Sequence, residues 1–137
     1  MRPDRSITMK YVLLIIVLFG PLATYAADSF EERTREAHRL EHATDQRTYQ
    51  ALVRSKLRAK MNKLMAGCIR SAYGSKPSSF AVVGDITRSS SVENVKVKPG
   101  SDFAKCFAGA LSRVRLPAPP DSFEGNSYPI ALDMNFH

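Results

Sequence analysis

The sequence predicts an α+β domain: a long N-terminal helix, then a β-β-α-β run whose three-stranded antiparallel sheet packs on helices. Three observations carry this. The stretch 27–72 contains no proline and only one glycine, Gly67. Two β-branched runs, Phe80–Thr87 and Val92–Lys98, are separated by the short polar turn Arg88-Ser89-Ser90-Ser91. A last segment, Ser127–Phe136, alternates Ile130, Leu132, Met134 and Phe136 with Ala131, Asp133 and Asn135, the pattern of a strand with one buried face.

Residues 1–26 stand apart from the fold. Arg2, Arg5 and Lys10 precede the apolar run 11–19, Gly20-Pro21 breaks it, and Thr24 and Ala26 put small residues at the −3 and −1 positions. This is the order of a secretory signal peptide cleaved after Ala26. The apolar run is short of the roughly 20 residues a spanning helix needs, so no stable membrane span is expected after cleavage. Export into the periplasm is the resulting expectation.

The mature chain divides into a charged segment, 27–47, helical or partly disordered, and a domain over 48–137. Asp28 or Ser29 is placed to cap the helix, with Glu31 and Glu32 in its first turn. From Phe30 to Arg47 almost every face is polar, and Leu40 and Ala43 make no stripe. From Tyr49 onward an apolar face appears: Val53, Leu57, Met61, Leu64 and Cys68 follow it at three- and four-residue steps. Gly74 and Pro77 end the helix. The two β runs form a hairpin. Ser101 or Asp102 caps a second helix, Phe103–Val114, and Pro117-Ala118-Pro119-Pro120 leads out of it. Both amphipathic helices are expected on one face of the sheet.

The 137-residue chain has a formal charge of +7; without Arg2, Arg5, Lys10 and Asp4, 17 bases face 12 acids, or +5. That is basic but modest, and aromatics are not interleaved with the basic helix face, so no nucleic acid partner is expected. The two cysteines, Cys68 and Cys106, are expected to pair in an oxidising compartment, the alternative being two buried thiols. A bridge closes a loop of about 37 residues and stabilises by roughly 3–4 kcal/mol on the chain-entropy picture.

From Thr48 to Phe136 the chain resembles the C-terminal domain of the TonB and TolA energy-transducing proteins. The features that carry it are an amphipathic helix, a hairpin whose second strand is Val92-Glu-Asn-Val-Lys-Val-Lys98, and a short helix with a cysteine in its middle, Asp102-Phe-Ala-Lys-Cys-Phe-Ala-Gly-Ala-Leu111. The proline exit Leu116–Pro120 and the final strand Tyr128-Pro-Ile-Ala-Leu-Asp-Met-Asn-Phe136 complete the order. The hairpin turn lacks the family's usual glycine, Cys68 lies on the first helix rather than on the first strand, and no long spacer follows the export signal. The resemblance therefore implies binding without energy transduction. It implies a periplasmic module that recognises an envelope protein, an outer-membrane or Tol–Pal-type component, by pairing along the edge of its last strand at Tyr128, Ile130, Ala131, Leu132, Asp133 and Met134. Homodimerisation through the same strand is a further expectation. The competing reading is a small exported inhibitor or immunity-type protein.

Enzyme chemistry finds little footing. His38-Arg39-Leu40-Glu41-His42 fits a zinc-peptidase pattern, with both histidines on one helical face. That pattern needs a distant third ligand and a sheltered cleft, and a helix charged all round offers neither. No catalytic residues, metal or cofactor are expected.

Overall fold

A computed structural model describes residues 29–71 and 77–137. The elements run α1 (Phe30–His42), a short 3-10 turn (Thr44–Gln46), α2 (Arg47–Ser71), β1 (Phe80–Thr87), β2 (Val92–Lys98), α3 (Asp102–Leu111) and β3 (Ser127–Met134). The fold is α+β with a three-stranded antiparallel sheet in the order β2-β1-β3. The expected signal peptide over 1–26, the alternative cap Asp28 and the expected helix stop at Gly74 lie outside the described residues.

The expected continuous N-terminal helix is two helices. Ser29 caps α1: its hydroxyl accepts from the Glu32 amide, and the Glu32 side chain returns to the Ser29 amide. The helix ends at Ala43, which is extended (φ −71°, ψ 125°), and α2 restarts after Gln46. Neither Gly nor Pro forces this break. Its cause is tertiary, because α1 and α2 lie on opposite faces of the sheet and one straight rod cannot serve both.

The side-chain period of two separates those faces. Phe80, Val82 and Ile86 of β1, Val92 of β2, and Tyr128 and Ile130 of β3 form one buried face with Tyr49, Val53 and Leu57 of α2 and Phe103, Phe107 and Leu111 of α3. Phe80 sits at an aromatic centre, with Phe103, Phe107 and Phe136 at ring centroids of 5.9, 5.6 and 6.2 Å. The opposite face carries side chains of modest bulk, Val83 (fully buried) and Asp85 of β1 with Pro129 and Ala131 of β3, and α1 lies over it. The two amphipathic helices, α2 and α3, thus share one face as expected, and the charged segment supplies a further helix, α1, on the other. α1 packs with Arg33, Ala37 and Leu40, a buried stripe at i, i+4 and i+7. Arg33 Nη2 lies 3.3 Å from Asp85 Oδ2, an ion pair without the angles of a hydrogen bond. Glu31 accepts from Lys98 at the end of β2, and that bond holds its carboxyl below the usual range.

Two positions show how the hairpin closes without a glycine in its turn. Ser90 takes the left-handed conformation (φ 66°), while Thr87 N–H donates to Ser91 O at 2.9 Å. In β2 one extra residue bulges opposite Gly84, with Asn94 at φ 51° donating to Asp85 Oδ2 at 3.1 Å. A Cβ at Gly84 would stand 3.3 Å from Val92 Cγ1 and 3.5 Å from Val95 Cγ2, so its absence lets both valines reach the core.

Two long-range ties finish the domain. Cys68 and Cys106 are disulfide-bonded, joining α2 to α3 with Cα atoms 5.7 Å apart. Arg88, in the hairpin turn, gathers the loop that leads into β3. Its guanidinium donates to Pro119 O (3.2 Å), Pro120 O (2.9 Å), Phe123 O (2.5 Å) and Gly125 O (2.8 and 3.2 Å). All five of its N–H groups are used, a set that the three donors of a lysine cannot reproduce.

Two stability changes follow. Cys106→Ser lowers the unfolding free energy by about 2–4 kcal/mol in denaturant melts, and reductant lowers the wild type to the same level without affecting the variant. Arg88→Lys loses nearly as much as Arg88→Ala, about 1–2 kcal/mol in the same assay, because the fork and not the charge holds the loop.

Candidate functional site

β3 lies at an edge of the sheet, paired only with β1. Which of its backbone groups face outward follows from the register. Thr87 N–H points to the β2 side, where it meets Ser91 O. Amides alternate along a strand, so Phe80, Val82, Gly84 and Ile86 point to β3, opposite Met134, Leu132, Ile130 and Tyr128. The residues between them, Ser127, Pro129, Ala131 and Asp133, turn their backbone groups to the open edge. Pro129 fits this placement, because a residue without an N–H belongs where no ladder bond is lost.

The six sequence-expected residues therefore divide. Tyr128, Ile130, Leu132 and Met134 pair with β1 and point their side chains to the core, Tyr128 fully buried and Ile130 nearly so. Ala131 and Asp133 offer backbone N–H and C=O groups at the edge. Asp133 is exposed, whereas the Ala131 side chain lies half-buried beneath α1. Next to the edge is a narrow cleft of about 50 Å³. It is walled by Ala37 and Glu41 of α1 and by Gln50, Val53, Arg54 and Leu57 of α2, with residues 129–132 of β3 at its base. The helices thus close over the first half of β3 and leave the end near Asp133 accessible.

The first half is held by Tyr128. Its ring meets Tyr49 edge-on at 4.8 Å and Phe123 at 4.9 Å, and its hydroxyl accepts from Gln50 Nε2. The Tyr49 hydroxyl donates to Pro117 O at 2.8 Å. Burial pushes the Tyr49 phenol above its ordinary range, and the neighbouring Tyr128 adds to this. Burial likewise raises Tyr128, while the Gln50 hydrogen bond opposes it.

The flanking helix residues escaped sequence reading. Arg33, Ala37 and Leu40 do make a stripe, but one with a single large apolar side chain. The signal that could have found it is the lack of bulk on the matching sheet face, where Ala131 and Pro129 accept a close helix. The two histidines of α1 are not brought to any third group. His38 Nδ1 lies 3.1 Å from Glu41 Oε2, His42 is exposed, and no group of three or more His, Cys, Asp or Glu among the described residues is placed to hold a metal. No helix among the described residues is long and apolar enough to cross a membrane.

No family model matches this chain, and comparisons with curated proteins and with solved structures find no match.

The tyrosine pair sets an alkaline limit. A phenol whose folded pKa is raised contributes stability that is intact below the unfolded value near 10 and is lost as pH rises above it. Urea midpoints should fall above about pH 10, and Tyr49→Phe should flatten that fall relative to wild type.

Proposed function

We propose that this chain is a non-enzymatic periplasmic protein-binding module, similar in kind to the TonB/TolA C-terminal domain, that recognises an envelope protein by adding the partner's extended segment to the edge of β3. The single observation that supports it most is the outward backbone of Ala131 and Asp133 on a strand with a neighbour on one side only. Unpaired N–H and C=O groups are a template for an incoming strand. Pro129 lacks an outward donor and α1 and α2 close over it, which limits pairing to the Asp133 end. The disulfide supports an oxidising compartment.

The position of the outward amides provides a selective test. Asp133→Pro deletes a donor that β1 does not use, so it should leave the thermal midpoint within about 2 °C of wild type. In living cells, a photo-crosslinker at Asn135, an exposed position just beyond β3, should give a discrete adduct with one envelope protein, and Asp133→Pro should abolish it. An adduct that survives Asp133→Pro contradicts strand addition. A crosslinked toxin or hydrolase favours the inhibitor reading.

A further inference from the structure

The C-terminal half of α2 builds a second site that strand addition does not use. α2 has 25 residues and no acid among them, against seven arginines and lysines. Between α2 and α3 lies a cleft of about 700 Å³. Leu64, Ala110, Val114 and the Cys68–Cys106 bridge form its apolar lining, while Lys60 and Lys63 of α2 and Arg113 and Arg115, just beyond α3, supply cations. Among the described residues no acid lines it and none of its cations enters an ion pair. Arg115 is steadied by donating to Ser89 O at 2.8 Å. A Cβ at Gly67, on the cleft wall, would meet nothing within 4 Å, so the space beside it is open.

We infer that this cleft binds the headgroup of an anionic phospholipid and docks the α2–α3 face on a membrane surface. Four cations without a counter-charge call for an anion. A free phosphate would leave the Leu64–Val114 lining wet, whereas a glycerophospholipid brings a phosphate and the start of an acyl chain together. The volume is that of a ligand cleft rather than of a seat for a protein helix. The β3 edge borders the N-terminal half of α2, at Val53, Arg54 and Leu57, so both sites can be occupied together.

The test is cosedimentation of the purified protein with phosphatidylcholine vesicles containing about 30% phosphatidylglycerol, near physiological salt, against phosphatidylcholine alone. Binding should be at least about tenfold stronger to the anionic vesicles. Lys63→Glu with Arg113→Glu should remove that gain. Gly67→Leu, which fills the cleft, leaves the charge unchanged and favours the helix, should remove it too. Arg54→Glu with Arg58→Glu, in the N-terminal half of α2, should change binding by less than about threefold. The inference is overturned if anionic vesicles are not bound, if Gly67→Leu binds like wild type, if the Arg54/Arg58 pair matters as much as the cleft pair, or if millimolar inorganic phosphate displaces the protein from the vesicles.

Discussion

The Tyr128 ring has no exposure to solvent, and what encloses it comes from distant parts of the chain: Tyr49 and Gln50 from α2, Phe123 from the loop before β3, and β1 alongside. The loop is fixed in turn by Arg88, which takes the carbonyls of residues 119, 120, 123 and 125, and by the Tyr49 hydroxyl on Pro117 O. An edge strand with one ladder needs such anchoring, because backbone pairing secures it from one side only. Tyr128 supplies the remainder through its side chain, at the end of the strand where the loop enters.

The rest of the architecture follows from sheltering that strand while leaving part of it open. α2 and α3 cover the apolar face, and their disulfide ties the far end of α2 to the second helix. α1 crosses to the opposite face, where small side chains on β3 admit it. Together α1 and α2 straddle the first half of β3, and Pro129 removes the outward donor there. What stays available is short and lies at the Asp133 end. The charge is uneven as well: α1 sets Glu31, Glu32, Glu36 and Glu41 against Arg33, Arg35 and Arg39, whereas the charged residues of α2 are all bases.

Legibility tracked the strength of local patterns. β1 and β2 begin and end at their β-branched runs, and β3 stands on its alternation. Cys68 and Cys106 stand where the oxidising-compartment argument placed their bond. The helix break at Ala43 was not legible, because no residue there opposes a helix; only the sheet face waiting for α1 explains it. The packing role of Arg33 and Ala37 was hidden for a related reason, since a cation and a methyl do not register as a core stripe. The edge was legible as a strand but not in its detail. Which amides face outward depends on the pairing partner of β3, and a strand's own sequence does not state that partner. Arg88 looked like a turn residue, and nothing near it in sequence announces the carbonyls it collects from more than thirty residues away.

The most direct test of the account is amide hydrogen exchange across β3, residue by residue, by NMR. A strand paired on one side only predicts alternation: slow exchange at Tyr128, Ile130 and Leu132, and exchange at least about a hundredfold faster at Asp133, with Ala131 intermediate beneath α1. Uniformly slow exchange from Tyr128 through Met134 would mean that the outer edge is already paired or covered, and would contradict the edge-strand account.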